Sequence, residues 1–129
     1  MTKERIIKIL DKDVVMRYCV ASETGYEQLS GKSSSVFIPE IDSITHKVVK
    51  QAEATTIDYL YLAIASVIAA YSYKRQKPPV TAEQILYEAS PNEVLSLIKN
   101  VGELRKEWYE IPSVIQEEKD NNSEGQKNA

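Results

Sequence analysis

The stretch Thr55–Arg75, TTIDYLYLAIASVIAAYSYKR, decides what kind of protein this is. Ile57, Leu60, Ile64, Val67, Ile68 and Tyr71 recur at helical spacing and form one apolar face. The opposite face carries Leu62, Ala65, Ser66, Ala69, Ala70 and Tyr73, smaller but still apolar. A helix apolar all round is buried on most sides. Small residues let a neighbouring helix come close, so two neighbours sandwich this helix or a second copy of the chain covers one face. Lys74, Arg75 and Lys77 follow at its C-terminal end, where cations complement the helix dipole. Pro78 and Pro79 stop it.

Downstream, Thr81 with Gln84 makes a capping box for a short helix to about Ala89. Ser90-Pro91-Asn92-Glu93 makes another, with proline at the first helical position. That last helix runs to about Tyr109 and buries Val94, Leu97, Ile98, Val101, Leu104 and Trp108, with Pro112 beyond its end. Glu103 and Glu107, interleaved with Lys99, Arg105 and Lys106, read as a solvated face with local ion pairs.

Upstream, Val15, Cys19, Ser22, Tyr26 and Leu29 share a helical stripe, and Gly31 supplies a stop. Two readings of residues 5–18 compete. Ile7 and Ile9 alternate with Lys8, which suits a strand returning through Asp13–Tyr18 after a turn at Asp11-Lys12. Against this, Asp-Lys is a poor hairpin turn, and a helix from Val14 is the rival. The alternation favours the hairpin, followed by a helix over Tyr18–Ser30. Lys32–Asp42 reads as a connector whose Val36-Phe37-Ile38 patch tucks onto the core, and Ser43–Lys50 as an ambiguous segment suited to a short helix.

The expected architecture is therefore mainly α: one small domain over residues 1–116 with about four helices and a short N-terminal β-hairpin. Glu117–Ala129, EEKDNNSEGQKNA, has nothing to bury and is expected to be a disordered tail. The 129 residues suit one domain, and 43% hydrophobic with 27% charged residues suits a globular chain.

Net charge is −3, which argues against non-specific nucleic-acid binding. The uncharged run Tyr59–Tyr73 falls short of the roughly 20 residues that cross a bilayer. No secretory signal is legible at the N-terminus. Cys19 and His46 are single residues of their kind, so neither a disulfide nor a metal site of recognisable spacing is expected. Gly31-Lys32-Ser33 ends like a phosphate-binding loop, but Tyr26 stands where its first glycine belongs. No cofactor, metal or catalytic residue is expected, and a Cys19–His46 enzyme is the weakest hypothesis. Aromatic residues carry more information. Tyr59, Tyr61, Tyr73, Tyr87, Trp108 and Tyr109 are the candidates for contact with another chain, because such side chains suit surfaces that are half apolar and half wet.

The segment TAEQILYEASPNEVLSLIKNVGELRKEWYEIP (Thr81–Pro112) resembles the C-terminal half of tail assembly chaperones of long-tailed bacteriophages and prophages. YEQLSGKS (Tyr26–Ser33) resembles the end of that family's N-terminal helix, and the alanine-containing helix between them also fits. The very short region before Tyr18 departs from the pattern. The resemblance implies a non-catalytic helical protein of the bacterial host cytoplasm. It would bind the long, helix-rich tape measure protein, keep it soluble and help recruit tail tube protein. The alternative from a different class is a structural phage component, a head–tail connector or minor tail protein assembling as a ring.

Overall fold

The computed structural model describes residues 3–109. It is a small, mainly α domain of four helices with an N-terminal antiparallel hairpin. The order is β1 (Glu4–Ile9), β2 (Lys12–Arg17), α1 (Val20–Ser30), a 3-10 turn (Ser34–Phe37), β3 (Glu40–Ile41), β4 (Val48–Lys50), α2 (Thr56–Ser72), α3 (Ala82–Glu88) and α4 (Pro91–Trp108). The expected tail and the domain boundary at 116 lie outside the described residues.

The hairpin reading of residues 5–18 holds, and the turn lies one residue earlier than expected. Ile9 pairs with Lys12, so Leu10 and Asp11 form the turn, with φ of 53° and 63°. Two successive positive φ values give a turn whose twist matches the strands. Moving the register to an Asp11-Lys12 turn would leave Ile7, Ile9, Val14 and Met16 on the same face, so the apolar pattern alone does not choose. A tertiary contact holds the observed register: the Leu10 N–H donates to Glu93 Oε2 at 2.7 Å. Those four side chains are buried, while the outer face carries the Lys8–Asp13 and Arg17–Glu4 ion pairs.

α2 is the centre of the molecule, with β2, α1 and α4 packed on it. This accounts for its apolar circumference within a single chain. Leu62, Ala63, Ile64, Ala65 and Val67 are buried, and Ser66 satisfies its hydroxyl by donating to the Leu62 carbonyl at 2.9 Å. The helix starts one residue later than expected, with Thr55 as its cap, and ends at Ser72 because the chain turns back through Arg75 at φ 56°. Both predicted capping boxes form, at Thr81/Gln84 and Ser90/Glu93. Gly31 ends α1 at φ 74°. Gly25 faces Ala65 so closely that a Cβ there would lie 3.1 Å from the alanine's, which is how α1 reaches α2.

Three expectations need correction. Ser43–Lys50 is not a short helix. Together with Glu40–Asp42 it forms a second hairpin, closed by an Asx-type turn in which Asp42 Oδ1 accepts from the Ile44 and Thr45 N–H groups. Of the Val36-Phe37-Ile38 patch, Phe37 is buried and Val36 packs partly on the core, whereas Ile38 is exposed. Among the described residues, Glu103 and Glu107 form no ion pair with Lys99, Arg105 or Lys106. Both hold Arg5 of β1, clamping the first strand to the last helix.

Candidate protein-docking site

Two regions bear on binding another chain, an aromatic run whose Tyr18, Tyr26 and Phe37 are buried in the core and an open groove. The first is a run of aromatic contacts. Phe37 sits between Tyr26 and Tyr59, at ring centroid distances of 4.8 and 5.0 Å, both edge-to-face. The Arg105 guanidinium lies 5.7 Å from the Phe37 ring centre and 5.0 Å from that of Tyr109. Glu23, in the first turn of α1, accepts hydrogen bonds from the hydroxyls of Tyr18, at 2.8 Å, and Tyr109. Trp108 packs on Tyr18 with ring centroids 6.4 Å apart.

These contacts set the local acid–base behaviour. Burial, and then the Glu23 carboxylate, push the Tyr18 hydroxyl far above the ordinary tyrosine range. Tyr109 is raised too, chiefly by its hydrogen bond to Glu23 and then by burial. Both hydroxyls are therefore protonated donors at neutral pH.

The second region is a groove of about 310 Å³ between α1 and α2. Ala21, Gly25 and Leu29 line it from α1, and Ala65, Ile68 and Ala69 from α2. Its walls are mostly apolar, and Thr24, Gln28 and Ser72 supply polar groups. Val20, exposed at the start of α1, lies one residue before Ala21. A concave apolar strip between two helices accepts side chains of an amphipathic helix.

Of the six aromatic candidates, the structure brings Tyr59, Trp108 and Tyr109 into the first region. Tyr61 is half-buried against the core. Tyr73 lies away from it at the end of α2, exposed, with Arg17 stacked 4.2 Å over its ring. Tyr87 is exposed on α3. Sequence reasoning missed the groove. Its signal was present in the four-residue spacing of Ala21 and Gly25 and of Ala65 and Ala69, but small residues at that spacing mark close helix packing as readily as a cleft.

Cys19 and His46 stand on different elements. Cys19 is the half-buried N-cap of α1, and His46 is exposed at the tip of the second hairpin. Among the described residues no group of three or more His, Cys, Asp or Glu is placed to hold a metal ion. Among the same residues no helix is long and apolar enough to cross a membrane. Lys32, from the failed phosphate-loop pattern, reaches the buried carboxylate of Asp58 at 3.1 Å. Compared with protein-family models, curated proteins and solved structures, the chain gives no match.

Proposed function

We propose that this chain is a non-catalytic tail assembly chaperone of a long-tailed phage or prophage. In this reading it acts in the bacterial host cytoplasm, binds the tape measure protein, keeps it soluble and promotes assembly of the tail tube, with tail tube protein as a second partner. Neither nucleic acid nor a membrane takes part. The observation that carries the reading is the α1–α2 groove, a 310 Å³ apolar strip beside exposed Val20. A long helical client displays apolar stripes that must be covered reversibly before the tube forms around it, and such a groove receives that stripe without any chemistry. The family resemblance over Thr81–Pro112 and Tyr26–Ser33 supports the same reading.

The test is co-expression with the longest coiled-coil-like protein encoded beside this gene. A tape measure protein that becomes soluble and co-purifies with the chain is the expected result. Unchanged solubility of that protein sinks the reading.

A further inference from the structure

The second hairpin is built but uncovered. Its base is fixed where the Ala54 N–H donates to the Val36 carbonyl at 2.9 Å, beside buried Phe37. Its tip is fixed by the two N–H groups on Asp42 Oδ1 and by the His46 N–H donating to the Asp42 carbonyl at 2.8 Å. Between base and tip neither strand buries a residue. Ile38, Ile41, Ile44, Val48 and Val49 are all exposed, Ile44 to 86%. A lone two-stranded hairpin is marginal in water, and its outer edges carry unpaired backbone groups.

The charges on this arm are sorted by limb. The first limb carries Glu40 and Asp42 and no base; the second carries Lys47 and Lys50 and no acid. Within the hairpin Glu40 stands opposite Lys50, and Ile41 opposite Val48. A two-fold pairing of β4 against β4 would set lysines against lysines, and β3 against β3 acids against acids. Like charges directly opposite are destabilising. Setting β3 of one copy against β4 of another repeats the pairing already present inside each hairpin, acid to base and Ile41 to Val48. Lys50 also holds an exposed ion pair with Glu53, at 2.7 Å, which is weak enough to exchange.

We propose that this arm is a self-association element whose occupant is a second copy of the chain, joined head to tail, β3 to β4. Such a contact uses two different surfaces of each copy and generates rings or open chains rather than a two-fold dimer. Strands of two and three residues add few hydrogen bonds, so the contact is concentration-dependent. It lies apart from the α1–α2 groove and stands or falls independently of client binding.

Two measurements test it. In sedimentation velocity the unaltered chain associates as concentration rises, and Lys50→Glu weakens this by about tenfold, through like charges set against Glu40. In a Cys19→Ser background, a Glu40→Cys chain and a Lys50→Cys chain carrying tags of different mass are mixed and oxidised. The expected product is the 40–50 cross-linked pair, in clear excess over 40–40 and 50–50 pairs. A chain monomeric at every concentration, a Lys50→Glu variant that associates as well as the original, or a predominance of like pairs each overturns the proposal.

Discussion

The Tyr26 hydroxyl donates a 2.9 Å hydrogen bond to the carboxylate of Asp58, which is only 2% exposed at the start of α2. The same carboxylate accepts from the Thr55 N–H at 2.9 Å and from the Lys32 ammonium at 3.1 Å. One side chain therefore caps α2, ties α1 to it and buries a charge. Burial alone would raise its pKa; the Thr55 N–H, the Tyr26 hydroxyl, Lys32 and the Thr55 hydroxyl outweigh burial and pull it to about 2.

The sign of the pH dependence follows. Asp58 has an ordinary value near 3.8, so its folded value is depressed. Its contribution is fully present above about pH 4 and is lost as pH falls toward 2. The size is of order 2 kcal/mol. Denaturant midpoints measured across this window should fall with pH in the natural chain and much less in Asp58→Asn. At neutral pH that variant should be less stable by about 2 kcal/mol, because an amide accepts from the Tyr26 hydroxyl and the Thr55 N–H more weakly than a carboxylate and buries an NH2 group among these donors. A profile for Asp58→Asn that falls with pH as steeply as that of the natural chain, with unchanged stability, would refute this account.

Asp11 sits at φ 63° in the first hairpin turn, a conformation that suits glycine. Asp11→Gly should leave stability unchanged or raise it by about 0.5 kcal/mol, since Asp already tolerates this region better than most residues. Asp11→Pro cannot reach that φ and should cost about 3 kcal/mol or more. Thermal melts of the pair decide it; equal melting temperatures would mean the turn is not as described.

Trp108 is half-buried against Tyr18 and the core, so Trp108→Ala should lower stability by about 2 kcal/mol. A melting temperature within a degree or so of the natural chain would show that the indole packs loosely and is free to serve a partner.

Ala21 is exposed on the α1 wall of the groove. Ala21→Trp fills the groove from outside the core. Its helical circular dichroism and melting temperature should match the natural chain while client solubilisation falls at least several-fold. Full solubilisation by a folded Ala21→Trp protein would move the docking surface elsewhere, with the aromatic run next in line.

The helices were legible because their signals are local. Thr81 with Gln84, Ser90 with Glu93, and Gly31 each satisfy backbone groups within one turn, so the residues that mark the end also make it. The second hairpin was not legible, because its apolar residues face solvent and leave no inward–outward alternation to read. Glu103 and Glu107 were misassigned for the opposite reason. Their partner, Arg5, lies at the other end of the described chain, and spacing along a helix says nothing of it. At the candidate site the aromatic residues stood out as residue types and Phe37 was expected on the core, yet no spacing along the chain told that Phe37 and Arg105 would join Tyr59 to Tyr109.

Glu93 caps α4 through the Ser90 N–H with one oxygen and holds the Leu10 N–H with the other. A hairpin turn synthesised early is thus latched by a helix residue 83 positions later. During translation β1 and β2 emerge with their docking surface incomplete, and the domain locks only once α4 has left the ribosome. Exchange of the Leu10 amide proton with solvent therefore reports the moment of locking: rapid in nascent chains stalled before α4, slow in the finished protein.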